Sequence, residues 1–386
     1  MTNLYTEKPL LVDLVLRRDA FTKEGGDVIQ ALHYAQVLES LGDDVRVVAY
    51  SPNLAIRRDS IVHYFNMDRN FEFLAVARLA AGHVFFISTI HHGKIYVESM
   101  RRAQRLQTGQ KIVAFLSENT RSLAVFLLRT WQADSTSFTH RAKSGLQALR
   151  DCILLRSNIC KVLESADGIF LLSNIERNSI ISEFSWHGRN ATITPNGKPA
   201  FEYSVVENRT GILVVGRIES RKRQLDIAKT AIKRKVPITF IGTRNYNERK
   251  YVEEFENLVR SCDILNWIPG LPHEEVLNRM RSSIVLLNCS WVEVQSLVDL
   301  EAVFSGCHVV SLANGGSSKE WLGNAVTEVL SGGIDEVLKV AQAMITSCSA
   351  PEIPSYSITW DLTTESIRNE YIRALNTRPY PVGHLG

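Results

Sequence analysis

Short apolar runs rich in β-branched residues alternate with segments of helical periodicity along almost the whole chain. This alternation is typical of parallel sheets whose strands are joined by crossover helices. The runs form two series, because a polar, turn-rich segment at residues 195–211 interrupts them. The predicted strands are residues 10–16, 44–50, 83–89, 111–117, 167–173 and 191–196 in the first series, and 211–216, 236–242, 263–268, 283–288 and 307–312 in the second.

Two such series in a chain of 386 residues predict an α/β protein with two Rossmann-like domains facing each other across a cleft. We expect the first domain at residues 1–205 and the second at 206–356. A predicted helix at residues 357–376 then crosses back to complete the first domain. The longest helix of the first half is predicted from His140 to Ser165. Ligands of parallel sheets bind at the carboxyl ends of the strands, so the site is expected there.

Composition and charge favour some classes of protein over others. The net charge of +3 is too small to indicate nucleic-acid binding by itself. No apolar run reaches the roughly 18–20 residues of a membrane-spanning helix. The opening residues, MTNLYTEKPL, lack the layout of a secretory signal, so we expect a cytosolic protein. Scattered cysteines without paired spacing favour structural roles for all six: Cys152, Cys160, Cys262, Cys289, Cys307 and Cys348.

Two predicted helices of the first half carry clusters of basic residues. The plainer interpretation is a solvated helix face. The alternative is contact with anionic lipid head groups, which contributes about 1 kcal/mol per charge. The sequence therefore leaves open a peripheral contact with the inner face of a membrane. The clusters are Arg101, Arg102 and Arg105 on one helix, and Arg141, Lys143, Arg150, Arg156 and Lys161 on the other.

A basic turn follows the first strand of the second series, in residues 215–224, VGRIESRKRQ. Arg217 stands at the end of the strand. Arg221, Lys222 and Arg223 are predicted to open the next helix. Cations beside a helix N-terminus, which itself carries about half a positive charge, form a site for a diphosphate. The alternative interpretation is a solvated basic turn.

Two glutamates with seven residues between them follow a later strand of this series. Glu293 falls in the loop after the strand, and Glu301 falls on the next helix. The first can accept hydrogen bonds from sugar hydroxyls, and the second can reach a ribose. Two surface glutamates are the alternative. Leu297 and Leu300 place Glu301 at the border of the apolar helix face, which favours a buried role.

These motifs resemble those of the retaining glycosyltransferases of family 4, which have the GT-B fold. The family places Gly-Arg and then Lys at the spacing of Gly216, Arg217 and Lys222. It also places Ser-x-x-Glu, seven residues and Glu-Ala, followed by a glycine. The matching residues are Ser290, Glu293, Glu301, Ala302 and Gly306.

The resemblance implies a role for each matched residue. Arg217 and Lys222 would hold the diphosphate of a nucleotide sugar. Glu293 would contact the hydroxyls of the transferred sugar, and Glu301 would contact the ribose. Catalysis would rest on Glu293, Arg217 and Lys222. Backbone amides would meet the sugar and its nearest phosphate around Gln295, Ser296 and Leu297.

The first half resembles the same family. The family's opening strand, Gly-Gly loop and helix match the segment around Gly25 and Gly26, where glycines let backbone amides approach a pyrophosphate or sugar. A plain turn is the alternative there. The Pro-Asn-Gly at 195–197 and the terminal helix at 360–375 also match.

The chain departs from the family at three places, one of which is the segment at 323–329, GNAVTEV, which lacks the family's glycine-rich ending. The family's histidine after the fourth strand is replaced by the residues at 117–119, Ser-Glu-Asn. His91 and His92 are candidate substitutes, although a solvated pair is the competing interpretation. Val294 and Ser296 replace glycines after the first glutamate, so Val294 is expected to narrow the sugar pocket or alter its loop.

The resemblance implies transfer of a hexose-like sugar from a UDP- or GDP-sugar to a hydroxyl of a glycan or lipid-linked acceptor, with retained configuration. No Asp-x-Asp triplet is present, and no metal or other cofactor is required by this interpretation. Three alternatives remain open. They are a non-catalytic subunit that binds nucleotide sugars, an epimerase of GT-B fold, and an enzyme acting on DNA, which would need a continuous basic groove.

Overall fold

The computed structural model describes residues 8–23, 25–108, 123–124, 126–127, 138–201, 208–347, 352 and 355–377. Every structural statement below refers to these residues. They group into two compact units, each built on one sheet. The first unit comprises Met1–His91, Gly109–Gly197 and Trp360–Gly386, and the second comprises His92–Thr108 and Lys198–Thr359.

The described strands form two parallel sheets of six. They are β1 (Leu11–Leu16), β2 (Asp44–Ala49), β3 (Ile61–Phe65), β4 (Val84–Ser88), β5 (Gly168–Leu171), β6 (Ala191–Ile193), β7 (Ile212–Val215), β8 (Ile238–Ile241), β9 (Leu265–Ile268), β10 (Val285–Asn288), β11 (His308–Leu312) and β12 (Val326–Val329). The first sheet has the order β2-β1-β3-β4-β5-β6, and the second β12-β11-β10-β7-β8-β9. All neighbouring strands are parallel. The predicted fold class, α/β with two Rossmann-like domains, is confirmed.

The described helices flank the two sheets. They are α1 (Gly26–Ser40), α2 (Asn70–Leu79), α3 (Lys94–Thr108), α4 (Phe138–Ile153), α5 (Leu155–Ser165), α6 (Asn174–Phe184), α7 (Gln224–Arg234), α8 (Arg249–Arg260), α9 (His273–Arg281), α10 (Leu297–Phe304), α11 (Ser318–Leu322), α12 (Gly333–Ser347) and α13 (Trp360–Thr377). None of the helices in these ranges is long and apolar enough to cross a membrane.

Buried apolar side chains cover both faces of each sheet. In the first unit, α1 and α13 pack on one face, and α2, α5 and α6 pack on the other. In the second unit, α7, α8 and α12 cover one face, and α9, α10 and α11 cover the other. Parallel strands covered on both faces are apolar throughout, which explains why apolar runs predicted most of them.

Ten of the eleven predicted strands lie in described residues, and all ten are confirmed. The predicted strand at 111–117 lies outside the described residues. The sequence did not predict β3 or β12. In β3, the run Ile-Val-His-Tyr-Phe is interrupted by His63, a polar residue that is fully buried. The ring of His63 contacts the Tyr371 hydroxyl at 2.6 Å and the Ser88 hydroxyl at 2.9 Å, so its polarity is satisfied inside the core.

The predicted helix from His140 to Ser165 is wrong in one respect, because the structure has two helices there. The chain leaves helical geometry at Leu154, where φ is −110° and ψ is 24°, and α5 begins at the next residue. Apolar periodicity continues across the break, which is why the sequence predicted a single helix.

The terminal helix α13 crosses back to the first unit, as predicted. Tyr371 and Ile367 are buried against the first sheet. The guanidinium of Arg368 donates to both carboxylate oxygens of Asp43, at 2.7 and 2.9 Å. A Cβ on Gly197 would lie 2.2 Å from the backbone nitrogen of Trp360, so only glycine fits where the helix begins.

The division between the units lies at Gly197 and Lys198, whereas the sequence predicts a limit at 205/206. Lys198 belongs to the second unit because its backbone N–H donates to the Ile358 carbonyl at 2.8 Å. The second unit also includes α3, a helix from the first half of the chain. A Cβ on Gly315 would lie 2.6 Å from a ring carbon of Tyr96 on α3, which shows how closely this helix packs there.

The strand order of the second sheet brings two distant loops to the same edge. β10 pairs with β7, although about 70 residues separate them in the chain, as in other doubly wound sheets. The loops that follow these two strands therefore start side by side. They carry the basic turn and Glu293.

Candidate functional site

The basic turn after β7 is folded tightly on itself. Gly216 directly follows the strand with a φ of 145°, and a Cβ placed on it would lie 3.7–3.9 Å from the side-chain carbons of Lys222. Ser220–Lys222 form a single 3-10 turn, and Arg223 has a left-handed backbone with φ of 61°. The next helix, α7, begins only at Gln224. The prediction that Arg221, Lys222 and Arg223 open the helix is therefore wrong, because all three precede it.

Lys222 and Glu293 form an ion pair at the centre of this edge. Lys222 Nζ lies 2.5 Å from Glu293 Oε1, and both side chains are largely buried. Arg221 Nη1 approaches the same oxygen at 3.6 Å. Burial opposes ionisation of Glu293, but the charges of Lys222 and Arg221 lower its pKa to about 2. The carboxylate therefore stays ionised at any physiological pH.

Arg217 joins this pair indirectly, through a chain of charges. Its Nε donates to Glu219 Oε2 at 3.0 Å, and Arg221 Nε donates to Glu219 Oε1 at 3.1 Å. Burial opposes the charge of Glu219, yet Arg221 and Arg217 hold its pKa below the usual value. Lys222, Arg217 and Glu293 thus belong to one network, and Glu219 and Arg221 connect them. No sequence motif predicted a role for Glu219.

The side chain of Gln224 stabilises the turn by hydrogen bonds to its backbone. Its side-chain amide donates to the carbonyls of Arg217 at 2.8 Å and Gly216 at 3.3 Å, and its oxygen accepts from the Glu219 N–H at 3.2 Å. The side chain is buried. These three bonds hold the backbone of the turn in a non-helical conformation. They therefore fix the direction in which the side chains of Arg217, Arg221 and Lys222 project. In the sequence, the one feature that could have indicated this role for Gln224 is its position as an amide residue at the end of the basic turn.

The loop carrying Glu293 is tied to the turn and to a second loop. The Trp291 N–H donates to the Arg221 carbonyl at 2.9 Å, and the Arg223 guanidinium lies 3.9 Å from the centre of the Trp291 ring. The Glu293 N–H donates to the Asn314 carbonyl at 3.1 Å. Two segments that are distant in sequence, the basic turn and the loop with Asn314, therefore hold the Glu293 loop in one position.

Val294 supports this loop and does not project freely from it. Its side chain is buried, and its carbonyl accepts from the Ser317 N–H at 2.7 Å and the Ser317 hydroxyl at 3.0 Å. A Cβ on Gly316 would lie 2.9 Å from the Glu293 Cβ. The valine at this position is thus compatible with a rigid loop packed against Gly316 and Ser317.

The residues predicted to offer backbone amides lie at the start of α10. The Ser296 hydroxyl caps the helix by accepting from the Asp299 N–H at 3.2 Å, and Leu297 is the first helical residue. Gln295 precedes the cap and is buried. This N-terminus follows directly on the Glu293 loop, so its partial positive charge adds to that of the cations in the same unit.

Asp299 is a buried acid that no sequence motif predicted. It accepts from the Asn288 amide at 3.0 Å and from the Ser318 hydroxyl at 2.7 Å. Burial is the main cause that raises its pKa to about 6, and the charge of Glu293 adds to the effect. Asp299 therefore joins the end of β10 to the start of α11 beneath the Glu293 loop.

Glu301 contacts a different partner, His273. Its carboxylate contacts the His273 ring nitrogen Nε2 at 2.7 Å, and His273 is exposed at the start of α9. Burial raises the pKa of Glu301, and the contact with His273 opposes that rise. The predicted position at the border of the apolar face is consistent with its partial burial. The structure pairs Glu301 with a histidine for which the sequence analysis made no prediction.

Gly25 and Gly26 lie at the carboxyl edge of the first sheet. A Cβ on Gly25 would lie 2.8 Å from Asp27 Oδ1, which is engaged in a buried pair with Arg17, whose Nε lies 2.6 Å from Asp27 Oδ2. A side chain at Gly25 would therefore press on the Arg17–Asp27 pair. At Gly26 a Cβ would meet no atom within 4 Å, so packing in this unit does not demand a glycine there.

His91 is neither solvated nor free to substitute for the family's histidine. Its ring is buried between two carboxylates, with Nδ1 2.5 Å from Asp68 and Nε2 3.0 Å from Glu183. Burial opposes the charged form, but these two acids raise the pKa of His91 to about 10. Both ring nitrogens are therefore occupied by structural bonds. The segment at 117–119 lies outside the described residues.

Comparisons with known proteins connect this architecture to a fold class. No protein-family model matches the chain, and no curated protein matches its sequence. Its structure is similar to sucrose-phosphate synthase from Thermosynechococcus elongatus, with a TM-score of 0.66, 13% identity, and coverage of 96% of this chain and 100% of the other.

Two further solved structures show the same similarity. A glycosyltransferase from Rickettsia africae has a TM-score of 0.62 at 10% identity, covering 96% of this chain and 100% of its own. HepE from Anabaena in complex with UDP has a TM-score of 0.55 at 13% identity, with coverage of 95% and 97%. The chain therefore has the GT-B fold, with two Rossmann-like domains.

Proposed function

We propose that this chain is a retaining glycosyltransferase. It moves a hexose-like sugar from a UDP- or GDP-sugar to a hydroxyl group of a glycan or glycolipid. The observation that carries the proposal is the Lys222–Glu293 ion pair, held at the carboxyl ends of two adjacent strands and next to the N-terminus of α10. A fold shared with HepE, which was solved with UDP, supports a nucleotide as the ligand.

The cations of the network stabilise the leaving group in this proposal. When the bond between the sugar carbon and the phosphate oxygen breaks, its electron pair stays on the diphosphate. Lys222 and Arg217 bind that growing charge, an effect typically worth about 3–4 kcal/mol per donor. The ammonium of Lys222 has three N–H donors, so it can bind a phosphate while keeping Glu293. This chemistry draws its positive charge from side chains and does not require a metal.

The acceptor hydroxyl supplies the new bond. Its oxygen attacks the sugar carbon from the face that the diphosphate leaves, and its proton passes to the departing phosphate oxygen. Because the new bond forms on the face from which the diphosphate leaves, the configuration at the sugar carbon is retained. Glu293, ionised because its pKa is about 2, accepts hydrogen bonds from the sugar hydroxyls. We assign Glu301 to the ribose, as the resemblance to family 4 implies.

A non-catalytic subunit that binds nucleotide sugars is the second candidate. One observation favours it: His91, the described candidate for the family's histidine, is fully engaged by Asp68 and Glu183. This candidate shares the donor site and lacks the transfer step. Both candidates therefore bind a nucleotide sugar, but only the glycosyltransferase transfers the sugar to an acceptor.

The test is a panel of UDP- and GDP-sugars incubated with the full chain, followed by mass spectrometry of all products. We expect one donor to release its nucleoside diphosphate, slowly to water alone and faster with a suitable acceptor glycan. Binding without release from any donor would identify the non-catalytic subunit. A free or nucleotide-linked epimer of the sugar would identify an epimerase. Glycosylation of duplex DNA added to the same incubation would identify the enzyme acting on DNA.

A further inference from the structure

The helix after the Glu293 loop, α10, buries one carboxylate. Asp299 is 1% exposed, and the other buried side chains of this helix are apolar. A buried carboxylate needs hydrogen-bond donors, because its removal from water is costly. Two side chains supply them. The Asn288 amide donates to both carboxylate oxygens, at 3.0 and 3.1 Å, and the Ser318 hydroxyl donates to Oδ2 at 2.7 Å.

These two donors stand at the ends of two loops on the carboxyl edge of the second sheet. Asn288 is the last residue of β10, and the loop at 289–296, which carries Glu293, follows it. Ser318 is the first residue of α11, and the loop at 313–317, which follows β11, precedes it. Asp299 therefore bonds the start of the first loop and the end of the second through one carboxylate.

The two loops also bond to each other around Glu293. The Glu293 N–H donates to the Asn314 carbonyl at 3.1 Å, and a Cβ on Gly316 would lie 2.9 Å from the Glu293 Cβ. The Val294 carbonyl accepts from both the N–H and the hydroxyl of Ser317. A movement of the second loop would therefore move the backbone of Glu293.

The strength of these ties depends on the charge of Asp299. An ionised carboxylate accepts from both donors through charge-assisted bonds, which are about twice as strong as neutral ones. A protonated carboxyl must itself donate, so it matches the Asn288 amide and the Ser318 hydroxyl less well. Burial raises the pKa of Asp299 to about 6, although the bonds from Ser318 and Asn288 oppose the rise. The group thus changes charge just below neutral pH.

Several charged groups lie on the segments around Asp299. Glu293 raises its pKa further, and Lys222 lowers it. His273 at the start of α9 contacts the second acid of α10, and Lys319 on α11 donates to backbone carbonyls. Histidines ordinarily change charge between pH 5 and 8, so His273 is the group that an experiment must separate from Asp299.

We propose that Asp299 is a positioning residue for sugar transfer: its carboxylate holds the loops at 289–296 and 313–317 together, and thereby fixes Glu293 against the donor sugar. The inference rests on the proposed transferase function. Protonation of Asp299 loosens the two loops, so transfer slows as the pH falls through about 6.

The experiment measures kcat for transfer between pH 5 and 8, with the donor identified by the panel. The wild type is expected to lose about tenfold between pH 7 and pH 5, since about one-tenth of an acid is ionised one unit below its pKa. Asp299→Asn is expected to be at least about tenfold slower at pH 7, with no further loss down to pH 5. Ser318→Ala removes a bond that favours the ionised form, so its acid limb is expected at higher pH. The control, His273→Gln, is expected to keep the acid limb of the wild type.

Two measurements on the free protein separate positioning from mere support of the fold. The pKa of Asp299 lies above its ordinary value of 3.8, so the proton stabilises the fold and ionisation at pH 7 costs stability. The neutral Asp299→Asn is therefore expected to be at least as stable to urea as the wild type at pH 7. Its amide hydrogen exchange is expected to be faster at 289–296 and 313–317, and unchanged in β1 and β4.

The outcomes separate this inference from the proposed function. The role of Asp299 would be overturned by an acid limb that persists in Asp299→Asn or stays unmoved in Ser318→Ala. Unchanged exchange in both loops, or a loss of transfer that matches a loss of stability, would overturn it as well. Each of these results leaves sugar transfer intact. A wild type that releases nucleoside diphosphate from no donor at any pH would overturn the proposed function, and this inference with it.

Discussion

Glu293→Gln is expected to lower the rate of sugar transfer by about 10²–10³-fold while leaving the affinity for UDP or GDP at least as high as in the wild type. The amide has nearly the same shape, but it removes the negative charge that accepts from the sugar hydroxyls, and charge-assisted hydrogen bonds are about twice as strong as neutral ones. It also releases Lys222 Nζ from its partner at 2.5 Å, which favours the diphosphate. Losses of this size are typical when one polar group of a preorganised site is removed.

The measurement is steady-state transfer with the donor identified by the panel, together with calorimetric titration of the nucleoside diphosphate. The matched control is Glu254→Gln, which makes the same chemical change in an exposed ion pair with Lys229, also close at 2.6 Å. Exposed pairs contribute little, so this control is expected to behave as wild type. Transfer at the wild-type rate by Glu293→Gln would remove Glu293 from the site.

Gly242→Ala is expected to destabilise the second unit by about 3 kcal/mol and to reduce transfer with it. A Cβ on Gly242 would lie 2.0 Å from the Gly216 carbonyl oxygen and 2.6 Å from its carbon. Both atoms are backbone, so they cannot rotate away, and the strand end that carries Arg217 must shift. The Gly216 N–H also donates to the Ile241 carbonyl at 2.9 Å, a bond that such a shift would break.

Chemical denaturation followed by circular dichroism measures this loss, and transfer assays show its effect on the site. Gly26→Ala is the control for stability, because a Cβ there meets no atom within 4 Å and the residue begins α1. Alanine at such a position is expected to be neutral or mildly stabilising. An equally stable and equally active Gly242→Ala variant would show that the β7 and β8 ends do not approach as described.

Apolar patterning carried the prediction of the fold, and it failed where a polar residue is satisfied inside the core. β3 contains His63, whose two partners, Ser88 and Tyr371, lie 25 and 308 residues away. No local pattern signals that such a histidine will be buried and neutral, with its pKa lowered by burial to about 3. The sequence did not predict that α3 belongs to the second unit, for the same reason. Tyr96 on α3 packs near Gly315, which lies far along the chain.

The candidate site could be predicted in part. Motif spacing identified Lys222 and Glu293, because both follow strands whose carboxyl ends meet. The network around them depends on Glu219, Gln224 and Asp299. The hydrogen bonds of these side chains depend on the folded positions of their partners, which motif spacing does not predict. The roles of Lys222, Glu293, Arg217 and Glu301 all remain predictions. In the structure, Arg217 contacts Glu219 and Glu301 contacts His273.

The most direct test of the central claim is the dissociation constant of UDP, and of GDP, measured by titration calorimetry for the wild type, Lys222→Ala and the exposed control Lys229→Ala. Removing a cation that binds a phosphate costs about 1.5–3 kcal/mol, so Lys222→Ala is expected to bind its nucleotide roughly 10–150-fold more weakly. Lys229→Ala is expected to match the wild type. Equal affinity in Lys222→Ala and the wild type, or a wild type that binds neither nucleotide, would contradict a donor site at the Lys222–Glu293 pair.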